Sequence, residues 1–376
     1  MPSSLSPAEI RFFSALAQAH GTPLLVLEKQ RLRAQYQAIT RALPGVALHY
    51  ALKALPHPAV VQTLAALGAG FDVASCGELA LLRQARIDPH RLIHTHPIKR
   101  PGEIQEALAF GCRDFVFDNP AELEKFRPYG HRVRLILRIG FRNPAAGVDL
   151  SRKFGCALEE VPPLLQKAQQ LGLRVQGFSF HVGSQCADAS AHVAAIRQTL
   201  DLMRAAGDRQ LQLLDIGGGF PVDYGEGAPS IEQFCAPIAQ VLKDIPKWLR
   251  VVAEPGRILV APAVTGLFQV IGKAVREGKP WYYLNDGVYG AFSGILFERA
   301  HYPIRAIRGG KLRESLLAGP TCDSIDIIAD TIPLPPLQIG DLVIAEQMGA
   351  YTIASATNFN SFPKTPVLPM ESAGEL

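Results

Sequence analysis

Short apolar runs recur through the first two-thirds of the chain: VALHYALK (46–53), GFDVAS (70–75), RLIHTHPI (91–98), DFVFDN (114–119), VRLILRIG (133–140), VQGFSFHVG (175–183), LQLLDIGGGF (211–220) and LRVVAEPGR (249–257). Each has the length of a strand buried on both faces. Most intervals carry apolar residues at helical spacing, among them HPAVVQTLAALG, CGELALLRQA, PGEIQEALAFG, NPAELEKF, VPPLLQKAQQLG, HVAAIRQTLDLMRAAG and IEQFCAPIAQVLKDI, with Gly or Pro at many boundaries. A strand–helix unit repeated eight times predicts a closed (β/α)8 TIM barrel. An open doubly wound sheet uses the same local patterns, and the count favours the barrel.

The pattern changes near residue 260. VTGLFQVIGKAV, PWYYLNDGVYGAF, HYPIRAI, DIIADTIPLPPL and DLVIAEQMGAYTI are rich in β-formers and separated by turns, which predicts a second, mainly β-barrel domain. An amphipathic segment over 7–19 and a short strand over 22–28 precede the repeat, and that strand is expected to pair with the second domain. The predicted organisation is a barrel over 30–260 and a β-domain built from 1–29 plus 261–376. The closing PMESAGEL is expected to be a mobile tail.

Composition narrows the class. The 376 residues carry a formal net charge of +4, 48% hydrophobic and 19% charged side chains, so this is a globular chain of two or three domains' length rather than a disordered one. There is no long Lys/Arg run, which argues against nucleic acid as a partner. No signal-peptide pattern and no long uncharged apolar span is seen, so no membrane association and a cytoplasmic location are expected. The six cysteines, at 76, 112, 156, 186, 235 and 322, are irregularly spaced with no CxxC, so neither a metal site nor a disulfide scaffold is expected.

A barrel of this kind gathers chemistry at the strand C-termini. Lys53, Asp72, His96, Arg138, His181, the run Gly217, Gly218 and Gly219, Glu254 and Arg257 all fall there. A lysine buried in a barrel mouth has a depressed pKa and a free amine suited to Schiff-base chemistry, although an isolated lysine is usually a surface charge. The GGGFP run lacks dinucleotide-binding spacing; it suits either a phosphate nest or a tight turn. Glu254 and Arg257 in EPGR suit either a mutual ion pair or separate duties, the arginine on a phosphate and the acid on a ring nitrogen. His181 and Ser184 in HVGSQ suit a stacking ring and a phosphate donor, or ordinary packing. Asp72 suits orientation of His181 or of another polar group and Arg138 suits holding a carboxylate, with a structural ion pair open for both.

Taken together, YALKALPHP, GFDVASCGEL, KFG (153–155), HVGSQ, DIGGGFP, EPGR, YYLNDGVYGAF, GPTCDSID and MGAYT resemble the fold-type III pyridoxal-phosphate decarboxylases, the family of ornithine, lysine, diaminopimelate and biosynthetic arginine decarboxylases. The likeness runs over nearly the whole chain and implies an alanine-racemase-like barrel. It further implies that pyridoxal 5'-phosphate is attached through Lys53, that His181 stacks on its ring and that Glu254 contacts the ring nitrogen. Asp72 and Arg138 fall in the same cofactor site, with Ser184, Gly217, Gly218, Gly219, Arg257 and Tyr351 around the phosphate. Alanine racemases place an arginine at the ring nitrogen, so Glu254 sets racemisation aside.

The same resemblance implies a homodimer with shared active sites, in which Cys322 protonates the substrate Cα while Asp323, Asp286 and Tyr289 receive the distal ammonium. GPTCDS is closest to the ornithine type, which implies L-ornithine to putrescine, with L-lysine to cadaverine also accommodated. The alternatives are another basic amino acid (diaminopimelate, arginine or a siderophore precursor) and a non-catalytic regulatory homologue. Ala54–Leu55 and His96 depart from the family pattern, which usually has a polar pair and an asparagine there.

Overall fold

Parallel strands that are covered on both faces must be apolar throughout, and the eight runs fold accordingly. The structure is a computed structural model describing residues 5–144, 146–148, 150–186, 188–207 and 211–372. In chain order its strands are β1 (Leu24–Glu28), β2 (Val46–Ala51), β3 (Gly70–Val73), β4 (Leu92–His94), β5 (Asp114–Phe117), β6 (Arg134–Ile139), β7 (Ala146–Val148), β8 (Val175–Phe180), β9 (Ser184–Cys186), β10 (Leu213–Asp215), β11 (Arg250–Ala253), β12 (Val264–Arg276), β13 (Lys279–Leu284), β14 (Ile304–Ala306), β15 (Arg313–Ala318), β16 (Ile327–Leu334), β17 (Leu342–Ala345) and β18 (Val367–Met370). The chain divides into two units: Arg33–Val222 with Ala228–Ile258, and the remainder, which takes in the chain up to Leu32, Asp223–Gly227 and everything from Leu259.

The first unit is the expected closed parallel barrel, in the order β10-β11-β2-β3-β4-β5-β6-β8. Closure rests on Val251 pairing with Val46 and Leu213 pairing with both Arg250 and Gly177. Ile93, Val116, Ile136, Leu213 and Val252, from five different strands, pack together with Ala47 beside them and fill the interior. Helices start promptly after the strands because the sequence supplies caps. Ser75 and Asn119 side chains accept from the backbone N–H of Glu78 and Glu122, and Pro58, Pro101 and Pro120 occupy first turns. After β3 and β5 only two residues separate strand end from helix start, whereas the connections after β6, β8 and β10 are longer.

The second unit is an eight-stranded sheet in the order β14-β17-β12-β13-β15-β16, with β1 against β12 and β18 against β1. The long strand β12 organises it. Val264–Leu267 pairs with β1, Gly266–Gln269 with β17, and beyond a register shift between Val270 and Gly272 the rest pairs with β13. The early strand therefore joins the β-domain as the sequence suggests. The closing tail departs from expectation, because Pro369 and Met370 lie in β18, paired with Leu27 and Glu28; residues 373–376 lie outside the described residues. Among the described residues no helix is long and apolar enough to cross a membrane.

Ile136 is fully buried in the barrel interior. Ile136→Ala is expected to lower the stability of the protein by about 3 kcal/mol through lost burial and the cavity left behind, read as a lower urea midpoint at unchanged slope.

Candidate active site

Lys53 lies two residues past the end of β2 on a single 3₁₀ turn, Leu52–Ala54, whose other two members are buried. The sequence suggested a buried lysine, and here the structure corrects it. The side chain is 45% exposed, because the turn carries it beyond the strand end into the mouth, and its Nζ lies 3.8 Å from Asp72 Oδ2. Asp72, on β3, is 2% exposed, and its other oxygen accepts from the Thr95 hydroxyl. The charged contact the structure gives Asp72 is with Lys53, an ion pair across the barrel mouth. Glu78 stands behind this pair: it accepts from Ala74 N at 2.6 Å, and burial, with the charge of Asp72 adding to it, pushes its carboxyl up to about 7.

Leu55 and Ala54 are fully buried, and the Leu55 carbonyl accepts from the Tyr50 hydroxyl at 3.1 Å. The apolar departure at these two positions is thus part of the packing that seats Lys53. His96, half-buried, accepts from Ile98 N at Nδ1 and meets the Phe154 ring edge-on at 5.5 Å. Arg138 lies over the same ring, also at 5.5 Å.

Two further carboxyls close the floor. Asp215 ends β10 and Glu254 directly follows β11, the neighbouring strand, so the two carboxyls lie within each other's electrostatic reach. Burial raises both: Asp215 to about 6, and Glu254 well above the usual carboxylate range, where the charges of Asp215 and Asp72 add to the burial and Lys53 opposes it. Burial pulls the Arg138 guanidinium down while Glu254, Asp118, Asp72 and Asp215 hold it up. A carboxyl buried among further acids ionises when a cationic N–H faces it, which makes it a partner for a protonated ring nitrogen.

The glycine run lies beside these acids. Gly217 N donates to Asp215 Oδ1 at 2.9 Å, and every carbonyl of the run is engaged from behind: Gly217 O by Glu254 N at 2.8 Å, Gly218 O by His192 Nε2 at 2.9 Å and Gly219 O by Cys186 N at 3.0 Å. The N–H groups of Gly218 and Gly219 have no acceptor among the described residues. Side chains are excluded here. A Cβ on Gly218 would lie 2.8 Å from Glu254 O and 3.1 Å from His181 Nε2, and one on Gly219, at φ +93, would lie 2.3 Å from Gly183 O. Nearby, Arg257 Nη2 donates to Ser184 Oγ at 3.2 Å. Two open amides, a hydroxyl and a buried guanidinium form a donor set suited to a phosphate.

His181 follows β8. Its Nδ1 accepts from Gly183 N at 3.1 Å, and burial, then the charges of Lys53 and Arg138, hold its pKa well below the usual imidazole range. The ring is neutral, as an aromatic stacking partner should be. Pyridoxal phosphate thus fits the residues present, with an amine at the mouth, a neutral ring, a buried acid and a phosphate cradle on successive strand ends of one barrel.

The second unit carries the remaining candidates. The Tyr289 hydroxyl donates to Asp323 Oδ2 and its ring stacks on Phe359 at 4.3 Å. That bond pushes the tyrosine up to about 12 and holds the Asp323 carboxyl below its ordinary range, so the aspartate is ionised. Cys322 is exposed, and its backbone N–H donates to Asn360 Oδ1 at 3.2 Å. Asp286 lines a cavity of about 250 Å³ with Tyr289, Thr321 and Phe359. Its oxygens are occupied by Gly287 N, Ala291 N and the Thr365 hydroxyl, so the structure gives it a loop-ordering duty the sequence did not suggest. Tyr351 has φ +54, and its carbonyl accepts from Ser355 Oγ at 2.9 Å.

Sequence reasoning missed Thr95, His192, Asp215, Asp326 and Phe359. Asp215 was within reach, since it is an acid at a strand end next to the glycines. Asp326 accepts from Val288 N, Thr321 N and Thr321 Oγ1 and so fixes the segment bearing Cys322 and Asp323. Its significance lies in contacts with residues distant in the sequence, and no local motif announces it.

Residues 29–261 match the profile of the family described as pyridoxal-dependent decarboxylase, pyridoxal binding domain. The lysine/ornithine decarboxylase of Selenomonas ruminantium is 37% identical over 378 residues, covering 99% of this chain and 94% of that protein. The solved structure of a lysine/ornithine decarboxylase from Vibrio vulnificus complexed with putrescine superposes with a TM-score of 0.92 at 47% identity, covering 97% of this chain and 99% of the other. Its complex with cadaverine gives 0.93 at 48%, covering 98% and 100%. With the strand-end site already built from its own residues, the chain belongs to the pyridoxal-dependent decarboxylases, and pyridoxal phosphate is its cofactor.

Proposed function

We propose that the protein decarboxylates basic L-amino acids, converting L-ornithine to putrescine and L-lysine to cadaverine, as a homodimer with shared sites. The observation that carries the substrate class is the Tyr289–Asp323 pair, which keeps a carboxylate ionised in the same short segment as the exposed Cys322. A fixed negative charge recognises a distal ammonium, and a substrate lacking that ammonium leaves the charge uncompensated. The relatives whose structures hold putrescine and cadaverine support the same reading. Ornithine and lysine differ by one methylene, a difference of only about 1–3 kcal/mol in a pocket, so both are substrates.

Within this reading Lys53 carries the cofactor and Asp72 orients the lysine. Bound pyridoxal phosphate supplies an electron sink for the electron pair left behind by departing CO₂. Glu254 would contact the ring nitrogen and hold it protonated, which would sustain that sink, while His181 would stack on the ring as a neutral face. Arg257, Ser184, Gly218 and Gly219 hold the phosphate, while Gly217, expected there from the sequence, has its amide bonded to Asp215 and shapes the turn beneath them. Arg138 balances the buried acids. Cys322 delivers a proton to Cα as the product forms, and Asp323, with Tyr289 and Asp286 behind it, positions the distal ammonium. Cys322 is exposed in the single chain. A proton donor in a site that must exclude water needs a cover, and a second copy of the chain supplies it.

Borohydride reduction of the cofactor-loaded protein followed by peptide mapping is expected to place a pyridoxyl label on Lys53, and Lys53→Ala is expected to lose both label and activity; a label elsewhere overturns the assignment. CO₂ release measured across ornithine, lysine, arginine and meso-diaminopimelate is expected to be fastest with the first two. Asp323→Asn is expected to raise KM for ornithine and lysine by roughly tenfold or more, as loss of a charged contact implies; preference for diaminopimelate would remove the role given to Asp323. Mixing Lys53→Ala with Cys322→Ala protein is expected to restore roughly a quarter of native activity, since half the dimers are mixed and each has one intact site. No recovery after subunit exchange means that the two residues act within one chain.

A further inference from the structure

We infer that Gln185 is a positioning residue for the cofactor phosphate, acting through Ser184 and the glycine run. The inference rests on the reading of Ser184, Gly218, Gly219 and Arg257 as the phosphate site. Gln185 follows Ser184 directly and has φ +52, a left-handed conformation that is costly for a residue with a Cβ. Its side chain compensates. Oε1 accepts from Val222 N at 2.8 Å and Nε2 donates to Val222 O at 3.0 Å, so one amide imitates the two-bond pairing of a neighbouring strand. Val222 ends the segment GGGFPV, three residues past Gly219.

The two neighbours of Gln185 explain what this clamp holds. Ser184 and Cys186 pair with Val148 and Ala146 on β7, so the intervening Gln185 turns the other way, toward the glycine segment. On that side Cys186 N donates to Gly219 O at 3.0 Å. The HVGSQ loop is thereby joined to the glycine segment at two points, one at Gly219 and one at Val222. Ser184 Oγ, which accepts from Arg257, is on the first segment, and the two open N–H groups are on the second. Donors from two separate loops converge on one phosphate only while the loops keep a fixed spacing, and the Gln185 amide sets that spacing at its outer end.

The readout is the phosphate's share of cofactor affinity, measured as the ratio of Kd for pyridoxal to Kd for pyridoxal phosphate on full-length protein stripped of cofactor and titrated by fluorescence. Gln185→Gly removes the amide and also removes the φ penalty. Gln185→Met keeps length and bulk but makes neither bond. Both are expected to weaken pyridoxal phosphate by about tenfold while leaving pyridoxal unchanged, as loss of two supporting hydrogen bonds implies. If the glutamine only occupies space, Gln185→Met binds pyridoxal phosphate as tightly as the native protein, and that result overturns the inference. Arg257→Ala tests the underlying reading separately. It is expected to collapse the ratio; if it leaves the ratio unchanged, the phosphate lies elsewhere, whatever Gln185 does. A collapsed ratio with Arg257→Ala but a native one with both Gln185 variants keeps the phosphate site and removes the clamp.

Discussion

Closure of the parallel barrel is the constraint on which the chemistry depends. Pairing of Val251 with Val46 brings the last barrel strand beside the first, so Glu254 and Lys53, two hundred positions apart in the sequence, share one rim. Without that seam the strand ends would fan out along an open edge, and the lysine would face no acid from the far end of the repeat. The filled interior beneath, built by residues such as Ile93 and Val252, prevents the barrel from acting as a pore and gives the rim a rigid floor.

On that floor the chain concentrates acids to an unusual degree. Asp72, Asp215 and Glu254 are each under a tenth exposed, with Lys53 and Arg138 as the basic groups named among their electrostatic neighbours. The three carboxyls have separate places: Asp72 faces the lysine, Asp215 holds the glycine backbone, and Glu254, pushed up by burial and by the charge of Asp215, follows the neighbouring strand. Strand order alone separates these duties, since the three acids come from β3, β10 and the residue after β11.

Much of this was legible in the sequence for a physical reason. A strand buried on both faces cannot hide its apolar run, and a polar residue directly after such a run has nowhere to go but the barrel end; hence Lys53, His181 and Glu254 could be read off in place. The second domain was legible as β-structure, yet its organisation around β12 was not, because a strand that changes partners midway looks locally like any other. Lys53 was read as more buried than it is, since nothing in YALKALP signals a 3₁₀ turn. His192 and Asp326 escaped notice because each acts on backbone 26 and 38 residues away, and a lone histidine or aspartate carries no sign of such a partner.

The engaged carbonyls of the glycine run have a thermodynamic consequence. Three consecutive glycines are the most mobile backbone a chain can offer, and a ligand that had to freeze them would lose much of its affinity to that ordering. Here Glu254 N, His192 Nε2 and Cys186 N have already immobilised the run during folding. Incoming anions therefore meet amides whose disorder has been removed in advance, and the freedom that glycine normally lends to a loop is converted into a rigid, ligand-independent contour.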